Sequence, residues 1–412
     1  MNTSIGFHTF SFFQKVDEFD FDTLKSDFAA AYYKGDTGID RVFTKKHTPI
    51  YMYKTEKGIR WVLVESKTDN GFKNYGVCVI INPKALISKD YITACDERDV
   101  EIIEKIYNER ISKISPILGK FGMCAISRSD PCINIDLAEV GISCSCDQMM
   151  ELIRRGNIPK RYKERKSYDK VQRREVPDKG QLYLVGKSTN INCYQKYHQQ
   201  GEKHPNYAHR REAENVIRFE VQCHYPKLYA ISREKKEQSK FNLYNQTATM
   251  EEEYDLLAGG FKSPSIPADI ILANEVTGSL CEKYFNEILR KGDYFTLDIA
   301  ERIIKSYNYR REKEERLLFM LNIVSESKGI SKAESKLSGL DLRDFKKSLR
   351  DLDDILVNPV TIPRRWGITH IQNLYRAVND LFYEEQLIPA SEYSALKHIN
   401  EILMEKNNKY VG

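Results

Sequence analysis

Long apolar runs are missing from this chain of 412 residues. No stretch approaches the roughly 18 consecutive apolar residues that a membrane-spanning helix needs. The mean hydropathy is −0.54 and 30% of the residues are charged. The start, Met1 to His8, has no basic segment followed by an apolar core, as a secretory signal would. We therefore expect a cytoplasmic protein with no membrane partner.

Cysteine and histidine do not occur in the spacings of disulfide or metal-binding modules. The nine cysteines are odd in number and scattered, which favours a reduced protein over a disulfide framework. Cys144 and Cys146 have no second pair at zinc spacing. No His-x-His pair is present, and His198, His204 and His209 are too irregularly placed for a metal site. We assign these three histidines to a basic loop.

An ATP-binding P-loop is also missing, although Gly186-Lys187-Ser188 is similar to the end of one. Five residues separate Gly180 from Gly186 where the motif has four, and they form an apolar strand pattern instead of a loop. The spacing therefore argues against this kind of nucleotide binding.

What the chain does contain is a series of strand patterns between residues 180 and 223. Two short strands, Leu182 to Val185 and Ile191 to Tyr194, precede a third, Val216 to Cys223. The third strand alternates apolar and polar residues, so Arg218, Glu220 and Gln222 fall on one face. An arginine, a carboxylate and an amide make a poor core, so we predict a polar site on this face of the sheet.

The rest of the chain predicts an α+β fold. Strand patterns at Ile50 to Tyr53, Trp61 to Glu65, Val77 to Ile81 and Met123 to Leu137 alternate with helix patterns at Asp22 to Tyr33, Asp99 to Leu118 and Asp147 to Arg155. This mixture predicts one mainly antiparallel sheet in a domain of residues 1–260. Residues 265–412 predict an all-helical C-terminal domain, which includes a helix from Thr369 to Tyr383. Its helices between 314 and 351 permit a helix-turn-helix, and a plain bundle or an oligomerisation role stays open.

Three short motifs follow one another in order. They are Arg128-Ser129-Asp130 with Asn134-Ile135-Asp136, then Gly186 and Ser188 leading to Cys193-Tyr194-Gln195-Lys196, then Arg218-Phe219-Glu220-Val221. Over roughly residues 120–230 their order and spacing resemble the Rep-trans initiator nucleases of rolling-circle plasmids and the related relaxases of conjugative elements. The chain departs from the family two residues before the tyrosine. That position is often arginine in the family and is Asn192 here, with no neighbouring arginine that obviously replaces it.

The resemblance implies a tyrosine that attacks a DNA phosphodiester. Tyr194 occupies the family's nucleophile position and is followed by Lys196, which we include in the catalytic group. Tyr197 is the competing choice of nucleophile. Because an unperturbed tyrosine has a pKa of about 10, its hydroxyl needs a base, a cation or a metal ion for activation.

The resemblance also implies a metal site of carboxylates. Asp130 and Glu220 would hold Mg²⁺ or Mn²⁺, with Asp136 and Asn134 as candidates for further ligands. The simpler interpretation of these carboxylates is ion pairing across strands with Arg128 and Arg218, which is common and contributes little energy.

A strongly basic segment, residues 154–179, precedes the three strands. Such runs are ordinarily solvated loops, but Lys and Arg in this number are also typical of segments that bind phosphates without reading sequence. The DNA-binding candidates are Arg128, Arg161, Lys163, Arg165, Lys166, Arg173, Arg174, Lys187 and Arg218.

These expectations describe a sequence-specific, metal-dependent DNA nicking-closing protein that starts rolling-circle replication or transfer of a mobile element. The tyrosine would stay on the 5′-phosphate while the 3′-OH primes synthesis. The partners would be an origin that is single-stranded at the nick, a host helicase and a second copy of the chain. The rival is a non-catalytic DNA-binding protein of a plasmid or phage, which Asn192 keeps open, and a third is an interaction protein with no DNA role.

Overall fold

The structure is a computed structural model, and it describes residues 3–35, 38–43, 49–53, 58–67, 71, 73–88, 91–169, 174–176, 178, 180–245, 266–381 and 390–408. The predicted boundary between two domains, at residues 260–265, lies outside these ranges. The division of the chain into two domains therefore stays a prediction.

A ten-stranded antiparallel sheet forms the centre of the fold, in the order β2-β3-β4-β5-β1-β6-β12-β11-β10-β7, and β8–β9 and β13–β14 form two small ribbons. The strands are β1 (Ser4–Val16), β2 (Ile39–Phe43), β3 (Pro49–Tyr53), β4 (Ile59–Lys67), β5 (Lys73–Ile81), β6 (Ile126–Asp136), β7 (Lys163–Glu164), β8 (Ser167–Asp169), β9 (Arg174–Val176), β10 (Gln181–Val185), β11 (Thr189–Gln195), β12 (Val216–His224), β13 (Tyr294–Phe295) and β14 (His370–Ile371). The predicted strands of the N-terminal half and of residues 180–223 are confirmed.

Helices cover one face of the sheet and make up most of the C-terminal region. They are α1 (Glu18–Lys34), α2 (Pro83–Ile87), α3 (Val100–Ile111), α4 (Cys146–Arg154), α5 (Lys196–Lys203), α6 (Tyr225–Asn245), α7 (Ala268–Leu272), α8 (Asn274–Leu289), α9 (Leu297–Ser306), α10 (Arg311–Ser327), α11 (Ile330–Glu334), α12 (Gly339–Asp354), α13 (Leu374–Ala377) and α14 (Ala390–Asn408). The predicted fold class, α+β with an antiparallel sheet and a helical C-terminal region, is confirmed.

The predicted helix from Thr369 to Tyr383 is wrong. The segment begins as strand β14, which pairs with β13, and helix α13 is only four residues long. The Asn373 side chain caps α13 and also donates hydrogen bonds to the carbonyls of Leu289 and Gly292. Contacts with a segment 80 residues away in sequence therefore override the local helical pattern.

The apolar face of the sheet packs on helices through aromatic side chains. Phe28 of α1 stacks on Tyr51 at 4.6 Å between ring centroids. Phe285 of α8 meets Phe219 of β12 edge-on at 5.0 Å. Such pairs contribute about 0.5–1.5 kcal/mol each beyond the burial of their area. This packing leaves the opposite face of the central strands for polar residues.

Strand β1 contains a β-bulge that the sequence pattern does not predict. Phe7 and Phe10 both belong to the buried core, although residues three apart point to opposite faces of a regular strand. The pairing of β1 with β6 shifts register between these two residues, which is a β-bulge. The bulge brings His8 and Thr9 to the polar face, where both line a cleft. Among the described residues, no helix is both long and apolar enough to cross a membrane.

Candidate active site

A cleft of about 520 Å³ lies on the polar face of the central strands. Its lining includes His8 from β1, Asp130 from β6, Tyr194 from β11, Lys196 from the start of α5 and Glu220 from β12. The antiparallel register places Tyr194 opposite Arg218 and Asn192 opposite Glu220. The prediction that Arg218, Glu220 and Gln222 share a face is confirmed by this register.

Three of the cleft residues form a group that could hold a metal ion. A ligand atom from each of His8, Asp130 and Glu220 lies within 4.8 Å of the other two. One imidazole nitrogen and two carboxylates suit a divalent cation, so the donor set fits Mg²⁺ or Mn²⁺. Both carboxylates were predicted as ligands, and His8 was not, because the bulge that places His8 in the cleft leaves no simple sequence pattern.

Asp136 is not brought to this group. It lies six residues after Asp130 on the same strand, roughly 20 Å away along an extended chain. Its carboxylate accepts hydrogen bonds from the backbone amides of Ala138 and Glu139 in the turn that follows. Asp136 therefore serves the turn at the far end of β6.

Burial shifts the pKa values of two residues in this group, Asp130 and His8. Burial, followed by the charge of Glu220, raises the pKa of Asp130 to about 7. Arg128 opposes this shift through two hydrogen bonds of 2.7 Å to the Asp130 carboxylate, so the ion pair of the simpler interpretation does exist, along one strand. Burial and the nearby Arg218 charge lower the pKa of His8 well below its ordinary value. A neutral His8 keeps a nitrogen lone pair for a metal.

Tyr194 lies against the metal group. Its hydroxyl donates a hydrogen bond of 3.2 Å to Oε2 of Glu220, and only 4% of the residue is exposed. Burial first, and the Glu220 charge second, raise the pKa of Tyr194 well above its ordinary value, while Arg218 acts in the opposite direction. The phenol is therefore protonated in the resting protein, with a carboxylate in place to receive its proton.

Two buried cations flank the tyrosine. Arg218 donates to Oδ1 of Asn134 at 2.6 Å and to the carbonyls of Ile92 and Thr93, and within the described residues its Nη1 atom has no hydrogen-bond partner. The Lys196 ammonium lies 5.8 Å from the centroid of the Tyr194 ring. Burial and the Arg218 charge lower the pKa of Lys196 well below its ordinary value.

Arg218 stands directly across from Tyr194 in the sheet. Its hydrogen-bond partners in the described part of the chain are neutral oxygens, and the Arg218–Glu220 ion pair of the simpler interpretation is not among them. Arg218 is fully buried and does not line the cleft. Its positive charge therefore acts on Tyr194 from within the protein, where it favours the ionised phenol.

An amide network fixes Glu220. Gln222 donates to Oε1 of Glu220 at 2.9 Å, and the Gln222 carbonyl oxygen accepts from the Tyr183 hydroxyl at 3.0 Å and from Asn190 at 3.4 Å. Because Oε2 faces Tyr194 and His8, each carboxylate oxygen of Glu220 has a defined role. The network holds the base towards the tyrosine.

Tyr197, the competing nucleophile, lies elsewhere. It is on α5, packs beside Ile92, Ala213 and Val216, and has the Arg210 guanidinium 4.1 Å from its ring centroid. It does not line the cleft. The geometry therefore favours Tyr194 over Tyr197.

The basic candidates are spread over several surfaces. Arg161 forms a two-bond ion pair with Glu287 and lines a different cavity, next to α8. Lys163, Arg165 and Lys166 are exposed at the β7 edge of the sheet, and Lys187 is exposed in the β10–β11 turn. Arg173 lies outside the described residues, and Arg174 is on strand β9. His198 and the Lys196–Lys203 segment form a helix instead of the predicted basic loop.

Comparison with known proteins adds little to this geometry. No family model matches the chain, and no curated protein matches it either. A solved structure to which the chain is similar is that of a rolling circle replication initiator protein from Geobacillus stearothermophilus, with a TM-score of 0.29 and 8% sequence identity. The alignment covers 56% of this chain and 77% of that chain. A likeness of this size carries no argument, so the function is inferred from the residues themselves.

Proposed function

We propose that the protein is a metal-dependent tyrosine DNA nickase that cleaves and rejoins one strand, as an initiator of rolling-circle replication or of the transfer of a mobile element. The observation that carries this proposal is the contact between Tyr194 and Glu220. A buried phenol donates its hydrogen bond to a carboxylate of a His–Asp–Glu group, with two buried cations beside it. These are the parts needed for a covalent attack on a phosphodiester.

In the proposed reaction, the Tyr194 oxygen forms a bond to phosphorus as its proton passes to Glu220. The bond between phosphorus and the 3′-oxygen breaks, and the leaving oxygen takes up a proton to become a 3′-OH. The lowered pKa of Lys196 makes its ammonium a suitable proton donor. Arg218, fully buried beside Tyr194 and held by Asn134 and two carbonyls, supplies positive charge that favours the ionised phenol. The reverse sequence rejoins the strand.

The metal site would consist of His8, Asp130 and Glu220. A Mg²⁺ or Mn²⁺ ion held there would supply positive charge that polarises the phosphate. The protein's own contribution is to keep His8 neutral, to keep Asp130 oriented through Arg128, and to limit the access of water by burial. The exposed cations at the β7 edge, Lys163 and Lys166 among them, would contact the DNA backbone.

The test is the formation of a covalent adduct. The protein is incubated with single-stranded and supercoiled DNA of the replicon that encodes it, with Mn²⁺ or Mg²⁺, and the products are separated on a denaturing gel. We expect a protein–DNA adduct that Tyr194→Phe abolishes and Tyr197→Phe retains. Loss of the adduct only in Tyr197→Phe would move the nucleophile, and an adduct that survives in both variants would refute the proposed role of Tyr194.

A second candidate, a non-catalytic DNA-binding protein, is favoured by one observation. Burial raises the pKa of Tyr194 far above neutrality, which would leave the phenol inert if no cation entered the site. This candidate predicts specific, salt-sensitive binding to the same DNA with no adduct at any metal concentration.

A further inference from the structure

A second, smaller cavity opens beside the cleft. It measures about 360 Å³ and is lined by Arg165, Asp178, Gln181, Tyr183, Asn192 and Gln222, among others. Four of these residues, Asp178, Gln181, Asn192 and Gln222, also line the cleft that contains Tyr194. The two cavities are therefore continuous. The volume lies within the range of about 300–1,000 Å³ that is usual for small-molecule sites.

Two carboxamides mark the junction of the cavities. Gln181 on β10 donates a hydrogen bond of 2.6 Å to Asn192 on β11, and within the described residues this is the one hydrogen bond that either side-chain amide makes. Each carboxamide carries both a donor and an acceptor. Whichever of the two donates to the other, the pair keeps one complete NH2 group and one carbonyl oxygen for a ligand.

The neighbouring amides make more hydrogen bonds within the protein. The side chains of Asn190 and Gln222 bond to Tyr183, to Glu220 and to each other. Their hydrogen-bonding groups are occupied by other protein groups, and these bonds fix the position of Glu220. Gln181 and Asn192 are half-buried and line the cavity, so their remaining donor and acceptor groups are open to a ligand there.

A flat surface lies at the same cavity. The Arg165 guanidinium is 5.7 Å from the centroid of the Tyr183 ring, and Arg165 is exposed. Aromatic rings and guanidinium planes are the groups on which unstacked nucleobases pack, while amides bond to their Watson–Crick edges. Asn192 and Tyr194 are two residues apart on one strand face, about 7 Å. This distance allows a phosphate at Tyr194 and the base of an adjacent nucleotide at Asn192.

We propose that this cavity receives a nucleobase of single-stranded DNA, from a nucleotide next to the phosphate at Tyr194, and that Gln181 and Asn192 read its edge. The inference rests on the proposed nickase function and gives it a source of sequence specificity. Asn192 would then be a specificity-determining residue. Arg165 and Tyr183 would hold the plane of the base.

The test is selection of bound sequences from a pool of single-stranded DNA with a randomised central segment. The proteins compared are the wild type, Asn192→Ala, Gln181→Glu and the control Asn286→Ala, an amide that lines the separate cavity of Arg161 and Glu287. We expect a wild-type preference of roughly tenfold or more at one position to fall to near parity in Asn192→Ala. Gln181→Glu, which replaces a donor by an acceptor, should shift the preference towards guanine, whose edge presents adjacent N–H donors.

Each outcome bears on the inference. An unchanged consensus in both cavity variants would overturn it, as would a wild-type protein that binds no single-stranded DNA. The same altered consensus in Asn286→Ala would also overturn it, because the effect would not be local. If the consensus changes as expected but no covalent adduct forms in the nicking assay, base recognition stands and the proposed catalysis fails.

Discussion

Among the single residues of the candidate site, Glu220 is the one that contacts the tyrosine, the histidine and the amide network. Its Oε2 atom accepts from Tyr194 at 3.2 Å and lies 3.4 Å from Nδ1 of His8, while Oε1 accepts from Gln222 at 2.9 Å. In the proposed reaction the same carboxylate serves as proton acceptor and as metal ligand. The negative charge and the basicity of Glu220 therefore matter more to the proposed reaction than the size of its side chain.

Replacing Glu220 by glutamine should separate the chemistry from the fold. Glu220→Gln keeps the shape and the bond to Gln222 but removes the negative charge and most of the basicity. We expect adduct formation to slow by about a hundredfold or more, since general-base catalysis contributes about 10²–10⁴-fold. Initial rates of adduct formation measure this. An equally fast Glu220→Gln protein with a native circular dichroism spectrum would contradict the assignment of the base.

His8 should decide which metal is preferred. An imidazole nitrogen is a better ligand for Mn²⁺ than for Mg²⁺, which prefers oxygen. We expect His8→Ala to lower the affinity for Mn²⁺ by about tenfold or more and the affinity for Mg²⁺ by less, as measured by titration calorimetry. His209→Ala is the matched control, because His209 is exposed and contacts Glu212. Equal losses for both metals would contradict a role of His8 in metal preference, and unchanged affinities would show that His8 is not a ligand.

The raised pKa of Asp130 predicts how metal binding depends on pH. With a pKa of about 7, Asp130 is mostly protonated at pH 6 and mostly ionised at pH 8, and a proton on the ligand competes with the metal. Mn²⁺ affinity should therefore rise by about tenfold from pH 6 to pH 8. In the metal-free protein the sign is opposite, because ionising a buried carboxylate costs stability as pH rises through its folded-state pKa. Asp130→Asn should flatten the Mn²⁺ profile, and a flat wild-type profile would contradict the account.

At the scale of elements, strand alternation explains what could be predicted. Apolar and polar residues alternate along strand β12, so its polar residues repeat every second position and reveal a shared face. Arg218, Glu220 and Gln222 were assigned to one face for this reason. Strand β1 breaks the rule, since its bulge puts Phe7 and Phe10 on the same side, and His8 was missed with it.

The partners of Arg218 illustrate what a sequence cannot reveal. Its hydrogen bonds go to Asn134 on β6 and to the carbonyls of Ile92 and Thr93, which are 84 to 126 residues away in sequence. A strand pattern indicates the face of an arginine but not whether a carboxylate or a carbonyl meets it. The ion pair that the simpler interpretation assigned to Arg218 is replaced by hydrogen bonds to neutral oxygens.

Helix α8 should be essential to the stability of the sheet. Phe285 is 1% exposed and packs against Phe219, the neighbour of Arg218 and Glu220 on β12. We expect Phe285→Ala to lower the free energy of unfolding by about 3–5 kcal/mol, measured with urea. The control Phe319→Ala removes a ring that is 53% exposed and should change stability by less than about 0.5 kcal/mol. Similar values for the two variants would contradict the packing of α8 on the sheet.

At the scale of the whole molecule, most of the buried apolar residues that the structure describes form one large hydrophobic cluster that runs from Phe7 on the sheet to Ile399 on α14. The C-terminal helices therefore share a core with the sheet, and α8 contacts β1, β6 and β12. Composition and helical periodicity predicted that the C-terminal region is helical. They could not predict this shared core, since periodicity shows which face of a helix is apolar but not what covers it.

One face of the central strands is polar and contains the cleft, and helices pack against the other face. The cleft, the Gln181–Asn192 pair and the exposed cations of the β7 edge follow one another across β12, β11 and β10. A single strand of DNA laid along this direction would meet the nucleophile, the amides and the cations in turn. The central claim is that Tyr194 becomes bonded to this strand.

The most direct test of that claim is to locate the bond. The adduct formed with Mn²⁺ is digested with nuclease and protease, and mass spectrometry identifies the residue that carries the remaining nucleotide. The account predicts a nucleotide linked through its 5′-phosphate to Tyr194. A nucleotide on Tyr197 or on any other residue, or a cleaved strand with no nucleotide left on the protein, would contradict it.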